Sequence, residues 1–130
     1  MPRPTAKRYK VSVTANFESN LEIIEKFLAD AGAPTAFAAL LESLSEKVVP
    51  TLDHYPNAGR SFLDLAVQSV EAQQRISRIN AMLGATSLRE YIVGDYLMLY
   101  AVQEKAVYLL SIRHHRQLSF DITSVRVLTE

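Results

Sequence analysis

The sequence predicts an α+β fold: a helical hairpin packed on a small, mainly antiparallel sheet. Three observations carry this. A short alternating stretch near the N-terminus, Tyr9, Val11 and Val13 against Lys10, Ser12 and Thr14, has the period of a strand. Two runs with apolar residues at helical spacing follow it, joined by a short Gly–Pro connection. From Leu88 onward the chain turns into apolar strands broken by two tight polar turns. Helices and strands segregated along the chain in this way pack as separate layers.

The first helix is placed by Ser19 and Glu22, which have capping-box spacing. Leu21, Ile24, Phe27, Leu28 and Ala31 then form its apolar face, and Gly32 ends it. Pro34 opens a second helix whose face is Phe37, Leu40, Leu41, Leu44, Val48 and Leu52. Pro50 lacks an amide donor and is expected to end or kink it. The segment HYPNAGR, 54–60, reads as a turn, with Gly59 supplying its geometry and Arg60 pinning it to a helix end or a carboxylate. A third helix is expected over 62–83, ended by Gly84.

Gly94-Asp95 lies between Tyr91–Val93 and Tyr96–Val102, a two-residue hairpin signal. Gln103 to Lys105 make a second turn into Val107–Ile112. Tyr96, Met98, Tyr100 and Val102 alternate with Leu97, Leu99 and Ala101, so both faces of this sheet are apolar. Such a sheet is covered on both sides, or is covered on one and binds something on the other. The tail 121–129 could add an edge strand or dock a partner.

At 130 residues the chain fits a single domain, 1–130. The absence of cysteine excludes disulfides, thiolate ligands and a cysteine nucleophile. The chain is neutral overall, so any anion binding must come from local clustering. No apolar run approaches the roughly 18 to 20 residues that span a bilayer, and a cytoplasmic protein is expected. Three histidines without ligand spacing argue against a metal site, and no cofactor motif is present.

The candidate functional cluster is Arg113, His114, His115 and Arg116, at the end of the last strand. Two readings fit it. The cations could bind phosphate, with a histidine as acid or base. Alternatively they are a solvated strand end facing Asp121 or Glu90. Tyr91, Tyr96, Tyr100 and Tyr108 could form a stacking platform for single-stranded nucleic acid, or simply pack the core.

Four features in order resemble the RelE/ParE superfamily of bacterial toxins from type II toxin–antitoxin systems. They are the N-terminal strand with its helical hairpin, the turn YPNAGR at 55–60, the strand pair LREYIVGDYLMLYAV at 88–102, and the closing strand AVYLLSIRHHRQ at 106–117. The resemblance implies a small toxin, concerned with plasmid stabilisation and held inactive by a cognate antitoxin. RelE-like members are ribosome-dependent mRNA endoribonucleases, while ParE-like members poison DNA gyrase. The ribonuclease branch commonly carries a basic residue where this chain has Leu97, and an aromatic where it has Arg116. The resemblance is therefore closer to the ParE branch. It implies inhibition of gyrase by binding, through Arg60, Arg89, Arg113, His114, His115 and Arg116. In the ribonuclease alternative, acting on the ribosome and mRNA, Arg89, Arg113 and His115 would be the catalytic set. A further alternative is a non-toxic, partner-binding member of the fold.

Overall fold

The computed structural model describes residues 9–61, 74, 78 and 87–114. Strand β1, Lys10–Val13, leads into helix α1, Ala15–Asp30. Helix α2, Pro34–Ser43, runs through a π-helical stretch, Leu44–Val48, into α3, Val49–His54. Strands β2, Arg60–Ser61, β3, Ser87–Val93, β4, Tyr96–Gln103, and β5, Ala106–His114, complete a five-stranded sheet in the order β1-β5-β4-β3-β2. Among the described residues only the β1–β5 pair is parallel. The α+β architecture and the mainly antiparallel sheet match the expectation from sequence. Gln74 and Arg78 are helical and exposed. The rest of the helix expected over 62–83, and the tail 121–129 that could add an edge strand or dock a partner, lie outside the described residues.

Helix α1 starts five residues before the capping box suggested. Thr14 is its N-cap, and the Thr14 hydroxyl accepts from the Phe17 amide at 3.3 Å. Ser19 and Glu22 are exposed positions inside the helix. The buried face is Asn16, Phe17, Asn20 and Ile24, with Leu21 and Leu28 half-buried. Phe27, placed in the core by spacing alone, is 67% exposed, and Ala31 is exposed as well. The face is turned toward Asn16 and Asn20 because those side chains bond the sheet, as described below. The helix ends in a Schellman motif: Gly32 (φ 76°) donates to Ala29 O, and Ala33 donates to Leu28 O at 2.8 Å.

In the second helix the core residues are Leu40, Leu44, Val48 and Leu52, each four apart. In a regular α-helix a step of four overshoots a full turn by about 40°. Over three steps that drift would carry Leu52 out of the core. The π-helical stretch between Leu44 and Val48 widens the turn and takes up part of the drift. It also lies immediately before Pro50, which therefore does not end the helix: the chain continues helically to His54. Leu41, off this line, is 40% exposed, contrary to the expected face.

The core between hairpin and sheet is built on Phe17, Ile24, Leu40, Leu44, Val48 and Leu52 from the helices. Met98, Tyr100, Val107, Leu109 and Ile112 come from the strands. The opposite sheet face is also buried at its centre, at Leu88, Leu99 and Ala101. The sheet therefore does not offer an open apolar face there. The Gly94-Asp95 turn has a positive φ at Gly94 alone (58°), the requirement of a II′ hairpin.

Candidate functional site

Strand β1 is too short to cover the length of β5. It pairs with Ala106 to Leu109, and β5 continues five residues further. A register irregularity at Leu99/Tyr100 leaves Leu110 as the extra residue of a bulge. Polar side chains of α1 take over from β1 here. The Thr14 hydroxyl donates to Leu109 O at 2.8 Å, and Asn16 Nδ2 donates to Leu110 O at 2.9 Å. Asn20 Oδ1 accepts from Ser111 Oγ at 2.8 Å and from the Ile112 amide at 3.0 Å. All four side chains are buried. Buried backbone groups need partners, and these side chains supply them where the strand stops.

The second polar cluster fixes the turn before β2. Tyr100, fully buried on β4, donates from its hydroxyl to Pro56 O at 2.7 Å and accepts from the Gly59 amide at 2.9 Å. Arg89 Nε donates to Gly59 O at 3.0 Å. A Cβ on Gly59 would lie 2.5 Å from Glu90 O and 2.9 Å from the Tyr100 hydroxyl. Gly59 does not have a positive φ, so close approach of turn to sheet, and not turn geometry, is what requires glycine. Burial raises the Tyr100 pKa, opposed by the Gly59 amide and by Arg89.

Arg60 and Glu90 face each other across the β2–β3 pair, with Arg60 Nη2 3.1 Å from Glu90 Oε1. The carboxylate is buried while the arginine side chain is 61% exposed. Arg60 thus pins the turn to a carboxylate, one of the two expected roles. Pairing register sets which candidates share a face. Ile92, Leu97 and Arg113 form one cross-strand row on the face that carries Arg60 and Glu90. Arg89 and His114 lie on the hairpin face, paired with Tyr100 and Tyr96. The His114 ring stands edge-on to Tyr96, centroids 5.5 Å apart. Burial lowers the Arg113 pKa, an effect the Glu90 carboxylate opposes only in part.

The four candidates among the described residues therefore do not converge. Arg60 and Arg113 share one face, Arg89 and His114 the other, while His115 and Arg116 lie outside the described residues. The tyrosines divide too: Tyr100 is core, and Tyr91 and Tyr96 are half-buried against that core. Sequence reasoning named Arg60 and Arg89 but missed Tyr100 as the staple and Asn20 as the substitute for strand pairing.

A family profile described as the ParE toxin of the type II toxin–antitoxin system parDE matches residues 11–119, a span that includes both polar clusters and every strand after β1's first residue. The chain belongs to the ParE toxin family. Membership makes it a toxin of a type II toxin–antitoxin system and implies a cognate antitoxin as its partner. A search of curated proteins finds no match. Among the described residues of this ParE-family toxin, no helix is long and apolar enough to cross a membrane.

Charge is distributed unevenly in this ParE-family toxin. Residues 15–54, the helical part, hold seven carboxylates (Glu18, Glu22, Glu25, Asp30, Glu42, Glu46 and Asp53) against Lys26 and Lys47. That is a net charge of minus five. The whole chain is neutral, so the remainder carries plus five.

Proposed function

We propose that this ParE-family toxin inhibits DNA gyrase by binding it, without chemistry of its own, and that its cognate antitoxin neutralises it in the cytoplasm. The observation that supports this reading is the row Ile92–Leu97–Arg113 beside the Arg60–Glu90 pair. Ile92 is 57% exposed while Leu97 and Arg113 are half-buried, so apolar groups and two arginines share one face of the sheet. Arginine among apolar side chains is the make-up of a protein-binding surface. Leu97 stands where the ribonuclease branch commonly carries a base or cation, and a leucine can neither move a proton nor stabilise a phosphorane. Arg60, Arg89, Arg113, His114, His115 and Arg116 are the residues assigned to target contact, with Arg60 and Arg113 central.

The test is to induce the toxin alone and follow thymidine and methionine incorporation together. An early fall in DNA synthesis, with purified toxin blocking supercoiling by gyrase, is the expected result. An early fall in protein synthesis with cleaved transcripts would replace this reading with a ribosome-dependent endoribonuclease. Growth without any defect would leave a non-toxic binding protein.

A further inference from the structure

We infer that Glu90 is a specificity-determining residue of the target surface: it holds Arg60 for a carboxylate on an acidic, partly apolar protein segment and keeps nucleic-acid phosphate away. Glu90 is 7% exposed, between Leu88 and Ile92 on its own face of β3 and opposite Leu99 on β4. Leu88 and Leu99 are buried, so a carboxylate stands in an apolar row. An apolar residue of similar volume would serve packing as well or better, because a buried charge loses hydration that its partner only partly returns. What the carboxylate supplies is direction. It takes one Nη2 donor of Arg60 at 3.1 Å, and among the described residues this is the one hydrogen bond of the Arg60 side chain. The other guanidinium donors of this exposed side chain are left to a ligand, in a planar fork that fits a carboxylate. Phosphate oxygens fit the same fork, and charge decides between them. Arg60 and Arg113 bring two positive charges to this face, and Glu90 takes one back. Its field reaches Arg113 as well as Arg60. A face with this reduced charge and an exposed Ile92 gains little from a phosphate chain, whose affinity grows with each charge neutralised. It suits a single carboxylate beside an apolar side chain. The place of this preference in target binding rests on the toxin reading above; the preference itself does not.

The experiment uses the full chain and three labelled probes, read by fluorescence anisotropy: a peptide alternating leucine and glutamate, its leucine–glutamine counterpart, and a thymidine oligonucleotide. The wild type prefers the glutamate peptide to the glutamine one by about two- to fivefold, the size of a solvent-facing charge pair, and Arg60→Ala removes the preference. Glu90→Gln raises affinity for the oligonucleotide by about two- to fivefold, and adding Arg60→Ala takes that gain away. Glu90→Met, which fills a similar volume without charge, gives the same gain where the glutamine variant fails to fold. No preference in the wild type, or one that Arg60→Ala leaves intact, overturns the assignment. So does an oligonucleotide affinity that neither neutral variant raises. A wild type that binds the oligonucleotide more tightly than either peptide, and loses it with Arg60→Ala, makes the face a nucleic-acid site instead. Toxicity is scored separately on the same variants. A harmless wild type with the preference refutes gyrase inhibition and leaves the assignment standing, and a toxic one without it does the reverse.

Discussion

The amide of Gly59 donates to the hydroxyl of Tyr100 at 2.9 Å, tying the turn that follows α3 to the central strand β4. The same hydroxyl donates onward to Pro56 O, so one phenol closes both ends of the turn. Arg60, the exposed cation beside that turn, owes its position to a buried group on the far side of the chain.

Tyr100→Phe should therefore leave the Pro56 carbonyl and the Gly59 amide without this partner in a buried site. The expected cost is about 1 to 3 kcal/mol per group left unsatisfied, read from urea denaturation. Toxicity should fall in parallel, because Arg60 and Arg89 lose the turn that both engage. A variant as stable as the wild type would remove the staple from the account.

Gly59→Ala places a methyl 2.5 Å from Glu90 O. Backbone cannot retreat as a flexible side chain can, so β2 should separate from β3 at a cost of about 1 to 3 kcal/mol. Amide exchange at Glu90 and Arg89, whose partners in β2 are Arg60 and Ser61, should accelerate first.

Asn20→Ala removes the acceptor for Ser111 Oγ and the Ile112 amide at once. A loss of about 1 to 3 kcal/mol is expected, with hydrogen exchange at Ile112 rising well above that of the β4 amides. Ordinary protection at Ile112 would show that the strand end does not depend on this side chain.

Arg60→Ala removes a partner of the buried Glu90 carboxylate, so a cost of about 1 to 3 kcal/mol is expected, read from urea denaturation. Toxicity should drop by more than that loss of stability explains, and the Arg113→Ala, Arg116→Ala double variant should abolish it with antitoxin binding intact. Full toxicity in a folded double variant would remove the basic strand end from the target surface.

Alkaline pH offers a check that does not involve function. Burial raises the Tyr100 pKa above its ordinary 10.0, and burial together with Asp95 raises that of Tyr96. The unfolded chain then releases these protons before the folded one. Their contribution to stability is fully present below pH 10.0 and is lost as pH rises through the folded-state values. Denaturation midpoints should be flat up to about 10 and then fall, less steeply in Tyr100→Phe.

Much of the architecture could be read from local pattern. Gly94-Asp95 specifies the β3–β4 hairpin, and Gly32 with Pro34 specifies the break between α1 and α2, because each acts through backbone geometry within a few residues. What pattern missed depends on distant partners. Asn16 and Asn20 read as surface residues until β5, some ninety positions away, presents them with unpaired backbone. Thr14 caps α1 while Ser19 and Glu22 have the spacing of a cap without serving as one. Phe27 fits a helical face by spacing and lies on the same side of α1 as Asn20, seven residues earlier, yet it stays in water. The two clearest site residues, Arg60 and Arg89, were legible because they flank a turn with a recognisable pattern. The division of the candidates between two sheet faces required the register.

The parallel pairing of Lys10–Val13 with Ala106–Leu109 has a consequence for synthesis. The ribosome releases β1 and the helical hairpin early, but the strand they are built to flank emerges last among the five. Until β5 appears, β1 has no strand partner, Asn20 has nothing to hold, and the hairpin lacks Val107, Leu109 and Ile112 from its core. A chain interrupted before that strand lacks the element that joins β1 and α1 to the rest of the sheet, and a toxin completed only by its closing strand is not finished until synthesis nears its end.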